Sequence, residues 1–441
     1  MKILRMTSVL AFCLILTLGL TGCGGGSGGS GSPGTSASSN SGSVTGGNQN
    51  PFIPPSQSTS GGGTSSSSSQ GGSGSVGDLG LVLVPSDPPD NVNNGITNSP
   101  SILQIVHIYD SNGKVLATPT ITTLNYPGEN DFDGAALTSS GSEGVIIDGY
   151  NNNLYYFSIK NGDVSTANML NADYGVDGDS VAILSNGDEA VVSLDNSDYL
   201  VLVSGILSGH PLVASPILTP GYRDGVVISN DDKVLLARGG NGLTVYSITS
   251  IDPQPGQYGG TVSHSFAKIQ DIPSLGTLSA DGEGRDGMAI SPLDSSRAVI
   301  IVNGASATGS TVNLLTGLPG VPALSNSISV NHEVDTVAIS PDGDLAIVGT
   351  DKGLLMFSGV ASGALTQVGQ LYSPSYTVNN ASMTLGKITT LGFTVDGKYV
   401  VVCDYTNSSL LVIPVSASGF GEPAGILGGI SVPWSDTMLV H

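Results

Sequence analysis

Asp335-Thr336-Val337-Ala338-Ile339 is one copy of a five-residue pattern that recurs along the chain in the order polar, small, apolar, small, large apolar. The other copies are residues 133–137, 179–183, 224–228, 286–290 and 436–440, with a weaker copy at 389–393. Their first positions are separated by 46, 45, 62, 49, 54 and 47 residues. Most of these spacings match the length of one four-stranded blade of a β-propeller, about 40–50 residues.

Each copy continues in the same way. A turn residue follows eight positions after the first residue, and a second apolar strand such as Val400-Val401-Val402 comes next. A polar turn and a third apolar strand, such as Leu410-Leu411-Val412-Ile413, complete the clear part of the unit. Short strands with frequent turns and no sustained helical periodicity are typical of all-β folds. The sequence therefore predicts that residues 79–441 form a seven-bladed β-propeller of four-stranded blades.

The last copy predicts how the ring closes. Residues 436–440 have the pattern of an innermost strand, whereas Leu81-Val82-Leu83-Val84 has the pattern of a second strand with no first strand before it. Residues 102–109 and 115–123 would follow as the third and fourth strands. We therefore expect the C-terminal strand to complete the N-terminal blade, which leaves no open sheet edge around the ring.

Two turns carry a family resemblance. Ile339-Ser340-Pro341-Asp342-Gly343 and Thr394-Val395-Asp396-Gly397-Lys398 resemble the SPDG turn of the YVTN and lactonase-like seven-bladed propellers. The resemblance covers residues 79–441 and implies the fold. That family includes lactone hydrolases, surface-layer-type repeats and plain binding proteins, so the resemblance implies no single activity. We find no distinctive catalytic motif that can be carried over residue by residue.

Composition limits the classes of partner. The 441 residues carry a formal net charge of −22, and only 11% of them are charged. Nucleic acids and anionic lipid surfaces repel a chain this acidic, whereas cations and basic partners are attracted. Of the three cysteines, Cys403 is alone in the propeller region, inside an apolar run. It is expected to be a small buried apolar residue and not a disulfide partner.

The N-terminal segment predicts a lipid anchor. Lys2 and Arg5 precede an apolar run of signal-peptide length, which ends in Leu20-Thr21-Gly22-Cys23. This resembles the lipobox of bacterial lipoproteins, which implies removal of residues 1–22 and lipidation of Cys23. By the same resemblance, Gly24 favours the outer membrane in a Gram-negative cell; with one membrane, the anchor would lie in its outer leaflet. Residues 24–77 carry no charge and are rich in Gly and Ser. Residues 23–78 are thus expected to form the anchor and a disordered tether with a span of roughly 40 Å.

The first positions of the repeat predict an acidic ring at one mouth of the central channel. It would contain Asp133, Asp179, Asp224, Asp286, Asp335 and Asp436, with Thr389 in the seventh place. Carboxylates this close repel one another, so raised pKa values, hydrogen bonds or a bound cation must compensate. In a purely structural role, each Asp would cap a turn or bond to a neighbouring blade. The ring could instead hold a cation, for which Ca²⁺ is the best candidate because it prefers oxygen ligands, or it could bind a substrate.

Other polar residues lie just upstream of this ring and leave two functions open. Arg223 and Arg285 would form local ion pairs with Asp224 and Asp286. Alternatively, a hydrolase pocket would use His332 or Glu333 as general base, with the two arginines holding an oxyanion or a carboxylate.

The function that we favour is a membrane-tethered, extracytoplasmic binding or interaction module. It would be a monomer that binds a protein or polymer of the bacterial cell envelope. The alternative is a lactonase-like hydrolase at the same face. An enzyme would show His, Glu and Arg side chains converging in a pocket at the channel mouth. A binding module would instead present a broad loop-built surface, with its Asp side chains in backbone hydrogen bonds.

Overall fold

A computed structural model describes most of the chain from Gly80 onward. The described residues are 80–86, 101–126, 132–149, 151, 153–165, 168–171, 178–194, 197–214, 217–218, 225–251, 263–275, 287–303, 309–430 and 438–440, without the side chains of 86, 133, 171 and 218. All of them belong to one compact unit that spans residues 71–441. The predicted signal peptide, Cys23 and the tether to residue 78 lie outside the described residues and stay predictions.

Seven sheets form the seven blades, and each is a meander of antiparallel strands. The first blade holds β1 (Leu81–Ser86), β2 (Ile102–Tyr109) and β3 (Val115–Asn125). The second holds β4 (Phe132–Leu137), β5 (Glu143–Asp148), β6 (Asn153–Lys160), β7 (Asp163–Val164) and β8 (Asn168–Asn171). The third holds β9 (Gly178–Ile183), β10 (Glu189–Leu194), β11 (Tyr199–Ser204), β12 (Leu212–Val213) and β13 (Ile217–Leu218). In the second and third blades, two short strands share the outer position.

The fourth to seventh blades repeat this plan. The fourth holds β14 (Gly225–Ile228), β15 (Val234–Gly239), β16 (Gly242–Ser250) and β17 (His264–Ile272). The fifth holds β18 (Met288–Ile290), β19 (Arg297–Val302), β20 (Ser310–Thr316) and β21 (Ala323–Val330). The sixth holds β22 (Val334–Ile339), β23 (Ala346–Thr350), β24 (Gly353–Ser358) and β25 (Thr366–Tyr372). A separate hairpin follows, β26 (Ser375–Val378) with β27 (Ala381–Thr384). The seventh blade holds β28 (Ile388–Phe393), β29 (Tyr399–Asp404), β30 (Ser409–Ser416), β31 (Gly419–Phe420) and β32 (Gly425–Gly428).

The last strand closes the ring as predicted. β33 (Leu439–Val440) pairs antiparallel with β1, so the first blade has the order β3-β2-β1-β33. Val82 lies opposite Val440 and Leu83 opposite Leu439. The innermost position of the first blade is thus filled from the other end of the chain, and the all-β, seven-bladed prediction is confirmed.

The hydrophobic core lies between blades and not in a single centre. Seven clusters of buried apolar side chains occur in the described residues, and each contains residues of two adjacent blades. Val400 and Val402 face the sixth blade, whereas Val401 and Cys403 face the first. A strand buried on both faces needs a continuous apolar run, which explains this stretch. Cys403 is fully buried with its Sγ 3.6 Å from the Met438 Sδ, as its sequence context predicted.

Two local features of the repeat are now explained. The predicted turn residues Gly141, Gly187, Gly343 and Gly397 have φ between 67° and 75°, a left-handed conformation in which glycine is favoured. In β4, β9, β22 and β28 the pairing with the second strand skips one residue, which is Asp133, Asp179, Asp335 or Thr389. The first residue of the repeat therefore lies in a β-bulge in these four blades, and a bulge re-aims its side chain.

The two longest spacings of the repeat contain additional strands. The 62-residue spacing before Asp286 contains β17, the outer strand of the fourth blade. The 54-residue spacing before Thr389 contains the β26–β27 hairpin, which the repeat does not predict. Its two-residue turn, Asn379-Asn380, has φ of 49° and 66°, as a type I′ hairpin turn requires.

The helical structure of the described residues is a 3-10 turn at Pro273–Leu275, and no helix there is long and apolar enough to cross a membrane.

Closure by β33 predicts a large effect of one side chain. Leu439 is 4% exposed and packs in the cluster between the first and second blades. We expect Leu439→Ala to lower the free energy of unfolding by about 2–4 kcal/mol, because it removes a buried side chain and leaves a cavity. Deletion of residues 436–441 should destabilise the propeller further. Urea denaturation followed by circular dichroism measures both effects.

The matched control is Leu212→Ala, because Leu212 is 55% exposed on an outer strand. This substitution should change the free energy of unfolding by less than about 0.5 kcal/mol. Equal stabilities of the Leu439→Ala and Leu212→Ala variants would contradict closure by β33.

Candidate functional site

The propeller has two different faces. The loop face carries the segments that enter the innermost strands, such as residues 332–333 and 387, and the turns between second and third strands, such as 351–352 and 405–408. The turn face carries the tight turns between innermost and second strands, such as residues 229–233, 340–344 and 394–398. The predicted site residues that the structure describes with their side chains, Asp179, His332, Glu333 and Asp335, fall at the loop-face ends of the strands.

A charged cluster joins the sixth and seventh blades on the loop face. Lys387, which precedes β28, places its Nζ 3.2 Å from Asp335 Oδ1 and 3.3 Å from Glu333 Oε1. The Asp335 side chain is 9% exposed, while that of Glu333 is 44% exposed. We call Glu333, Asp335, Lys387 and the neighbouring His332 and Asp351 the blade 6–7 cluster. Its carboxylates outnumber its lysine by three to one.

Burial is the main cause of the raised pKa of Asp335. Loss of solvation raises the pKa of its carboxyl to about 6, although the nearby Lys387 ammonium lowers it. Its Oδ2 atom is buried and has no hydrogen-bond partner in the described part of the chain. Burial alone lowers the pKa of Lys387, but Asp335 and Glu333 outweigh it and the net effect raises that pKa. Asp335 is thus a carboxyl group that titrates near neutral pH beside a fixed cation.

His332 is held by neighbours of its own blade. Its Nδ1 lies 3.1 Å from Asp351 Oδ1, and its ring lies 4.6 Å from the ring of Tyr372 at an angle of 55°. A carboxylate acceptor at Nδ1 fixes the tautomer in which this nitrogen carries the proton. Only Nε2 is then left to meet a substrate or partner.

Two further carboxylates of the loop face have structural roles. Asp148 accepts hydrogen bonds from the backbone N–H and the amide side chain of Asn151. Asp404 accepts from the hydroxyl of Tyr376 at 2.8 Å and from Asn407 at 2.7 Å. Both Asp side chains are fully buried. They cap the turns between second and third strands, and Asp404 also fixes the extra hairpin.

The predicted acidic ring is described only in part. Asp335 bonds to the neighbouring blade through Lys387, which is the structural role expected for these residues. Asp179 lies in β9, partly buried, whereas the Asp133 side chain and residues Asp224, Asp286 and Asp436 lie outside what the structure describes. Arg223 and Arg285 also lie outside it. The arginine ion pairs and the oxyanion role therefore stay predictions.

The described residues do not assemble a metal site. No group of three or more His, Cys, Asp or Glu side chains among them is placed to share an ion. The channel itself contains a cavity of about 300 Å³ between the innermost strands, lined by apolar residues such as Ile339, Leu391 and Phe393 together with Thr336 and Thr390. No charged residue of the described chain lines this cavity.

One buried polar cluster is far from the loop face. The fully buried Glu189, at the start of β10, accepts from the Ser263 N–H at 2.8 Å and its hydroxyl at 2.6 Å, and also contacts His264 Nδ1. Ser263 Oγ also lies 3.2 Å from His264 Nδ1, but Glu189 contacts that same nitrogen, so the imidazole does not link serine and carboxylate through its two different nitrogens as in a nucleophilic relay. The cluster attaches the fourth blade to the third.

Sequence reasoning named His332 and Glu333 but not Asp351 and Tyr372. The first two directly precede an innermost strand, as Lys387 also does, so the repeat points to that position. Asp351 follows the second strand of the sixth blade, Tyr372 is the last residue of the fourth, and neither carries a repeat signal. Folding of the blade brings them to His332.

Comparison with known proteins places the fold. No known protein family and no curated protein matches the sequence. A periplasmic gluconolactonase from Pseudomonas aeruginosa is similar in structure, with a TM-score of 0.56 and 13% identity over 82% of this chain and 99% of that one. A 6-phosphogluconolactonase-like protein from Bacteroides uniformis gives 0.53 and 16% identity over 78% of this chain and 95% of that one.

A protein of unknown function from Desulfotomaculum acetoxidans also has this fold. It gives a TM-score of 0.56 and 15% identity over 82% of this chain and 98% of its own. At such identities the likeness concerns the fold alone. The chain is a seven-bladed β-propeller of the shape found in the lactonase-like propellers, as the SPDG-type turns implied.

The raised pKa of Asp335 predicts a pH dependence of stability. The folded state binds a proton more tightly than the unfolded chain, so Asp335 costs stability as the pH rises from about 4 to above 6. A pKa difference of this size corresponds to about 3 kcal/mol. We expect the stability of Asp335→Asn relative to wild type to increase by up to this amount between pH 4 and pH 7, measured by urea denaturation.

The control for this prediction is Asp294→Asn on the turn face. Hydrogen bonds from Ser296, with Arg297 nearby, hold the pKa of Asp294 below its usual value. Its contribution is therefore present near neutral pH and lost in acid, so the relative stability of this variant should fall as the pH rises. If both variants show the same pH dependence, the Asp335 assignment is wrong.

Proposed function

We propose that the chain is a lipid-anchored binding module of the bacterial cell envelope, which captures a protein or polymer partner on its loop face. The observation that supports this proposal is the pairing of loop-face polar groups with one another. Asp148 and Asp404 cap turns, His332 bonds to Asp351, and Lys387 bonds to Asp335 and Glu333. Polar groups that are paired with one another in this way keep the loop face rigid.

The charge of the blade 6–7 cluster gives the class of partner. Three carboxylates against one lysine leave a net negative patch, and the whole chain is acidic as well. Glu333 and Asp351 are 44% and 29% exposed, so a partner can reach them. The partner is a protein segment or polymer that presents cationic groups or hydrogen-bond donors.

Location is the second part of the proposal. The lipobox-like Leu20–Cys23 stretch and the uncharged segment that follows would anchor the propeller to the membrane by a long tether. The described propeller begins at Gly80, on the turn face.

Capture from the native envelope tests the binding proposal. Detergent-solubilised full-length protein serves as bait in an envelope extract of the host, at low and high salt. Wild-type protein should retain a defined protein or polymer. A Glu333→Gln, Asp351→Asn double variant should retain at least tenfold less, because two reachable charges are removed without a change of shape.

Asp231→Asn, which removes one charge from the turn face, is the matched control and should bind like wild type. Equal capture by the double variant, or no capture by wild-type protein, contradicts the proposal.

A hydrolase is the second candidate, and Asp335 is the specific observation that favours it. Its Oδ2 atom lacks a partner in the described chain, and its pKa of about 6 suits a general base near neutral pH. Asp335 would take a proton from water as the water oxygen attacks a lactone carbonyl. The proton would pass to the ring oxygen as the ring C–O bond breaks, which yields the hydroxy acid. Lys387 would hold the carboxylate in place.

Hydrolysis of glucono-1,5-lactone in a pH-stat tests this candidate. Full-length protein should exceed the spontaneous rate, with kcat/KM rising through an apparent pKa near 6. Asp335→Asn should lower kcat/KM at least 100-fold, whereas Asp294→Asn should not. A rate equal to that of buffer alone would exclude lactonase activity on this substrate.

A further inference from the structure

The hairpin β26–β27 lies on the loop face, because β25 ends and β28 begins on that face. Residues of the blade 6–7 cluster and its neighbours flank the hairpin in the chain. Tyr372, whose ring contacts that of His332, ends β25 just before the hairpin, and Lys387 follows the hairpin directly before β28. The hairpin therefore continues the surface to which we assign the binding function.

One face of the hairpin packs on the propeller. Tyr376 and Val378 are buried and pack, with the partly buried Met383, in the apolar cluster between the sixth and seventh blades. The Tyr376 hydroxyl also bonds to the buried carboxylate of Asp404. The hairpin is therefore a fixed part of the loop face.

The opposite face of the hairpin carries four hydroxyl groups. Side chains alternate between the two faces of a strand, so Ser375 and Thr377 lie on the face away from Tyr376. Ser375 is paired across the hairpin with Thr384, and Thr377 is paired with Ser382. All four residues are exposed, and residues 373–386 contain no charged side chain. We call these four residues the hydroxyl face.

The spacing of the hydroxyl face follows from sheet geometry. Paired residues have their Cβ atoms about 5 Å apart, and alternate residues of one strand are about 7 Å apart. The four hydroxyls thus form a small, flat rectangle of groups that each donate and accept hydrogen bonds. Such a surface suits a partner that presents several hydroxyls close together.

An aromatic ring and exposed carboxylates adjoin the base of the hairpin. Tyr405 is 36% exposed, and its backbone N–H donates to the Lys387 carbonyl at 2.9 Å. The turn that holds Tyr405 also bonds to the hairpin, because the Asn407 side-chain amide donates to the Thr384 carbonyl at 2.8 Å. The Lys387 ammonium in turn lies 3.3 Å from the half-exposed carboxylate of Glu333.

The three features together decide the class of partner. A tyrosine ring has an apolar body against which the apolar face of a sugar ring packs. Glu333 and Asp351 attract a cationic group. A neutral sugar polymer would make no use of these carboxylates, and a basic peptide would make no use of the array of hydroxyls. A polymer of sugar rings with charged amino groups uses all three features.

We propose that the loop face binds a polysaccharide that carries free amino groups. This inference rests on the binding function proposed above and names the class of its partner. Sugar hydroxyls bond to the hydroxyl face, one ring packs on Tyr405, and a protonated amino group lies against Glu333 and Asp351. The extra hairpin, absent from the repeat, is thus the element that recognises the polymer as a polysaccharide.

Retention on poly-D-glucosamine beads tests this inference. Full-length protein in detergent is applied in mildly acidic buffer, in which the amino groups of the polymer are charged. Wild-type protein should be retained. A Thr377→Val, Ser382→Ala double variant, which removes two paired hydroxyls and little volume, should be retained at least fivefold less. Tyr405→Ala should reduce retention by a similar factor.

The matched control is the double variant Thr249→Val, Ser265→Ala. Thr249 and Ser265 are a cross-strand pair with exposed side chains in the fourth blade, away from the hairpin. This variant loses the same two kinds of hydroxyl and should be retained like wild type. Equal retention of the two double variants, or no retention of wild-type protein, overturns the inference.

Two further polymers separate this inference from the binding function on which it rests. Poly-N-acetyl-D-glucosamine has the sugar rings without the charge, and poly-L-lysine has the charge without the sugar rings. Each should retain at least tenfold less wild-type protein than poly-D-glucosamine does. Strong retention on poly-L-lysine that the hairpin double variant does not change would support a cationic protein partner and overturn the polysaccharide. Capture from the envelope extract that depends on Glu333 and Asp351 would then still support the binding function.

Discussion

Burial of both faces of every blade is the constraint on which the structure depends. A single blade has apolar side chains on its two faces and can cover them only with two neighbours. The alternation of Val400 and Val402 toward the sixth blade with Val401 and Cys403 toward the first shows this within one strand. A row of such blades would leave one exposed apolar face at each end. Closure into a ring removes both faces, and β33 supplies the strand that joins the ends.

The same constraint confines polar chemistry to the rims. Between the blades the packing is apolar, so charged side chains are concentrated where strands end. On the loop face, the bulge at the start of the innermost strand re-aims the first residue of the repeat, and in the sixth blade Lys387 of the next blade meets Asp335 there. The ion pair joins the two blades, while burial of the same carboxyl group raises its pKa to about 6 against the effect of Lys387. Asp335 therefore links two blades and is also the carboxyl group of the proposed hydrolase chemistry.

Local sequence signals were sufficient for the repeating parts of this fold. The period of the repeat predicted the blades, the turn residues eight positions into each copy predicted the tight turns, and the unmatched strands at the two ends predicted closure. Contacts between distant residues left no such signal. His264 is 75 residues from Glu189, and Tyr376 is 28 residues from Asp404. The site was predictable only where it follows the repeat, at His332, Glu333 and Asp335, because the partners Asp351 and Tyr372 are set by the folding of the blade.

The junction of β33 with β1 differs from the rest of the ring. In the first blade the innermost and second strands are not consecutive in the chain, and they pair at two positions among the described residues. Closure still requires β1 to be a fully paired second strand, as β29 is in the seventh blade. Hydrogen exchange followed by mass spectrometry measures this directly. Peptides that cover residues 81–86 should exchange as slowly as peptides that cover 399–404; exchange in β1 that is faster by orders of magnitude would show that the ring is not closed by β33.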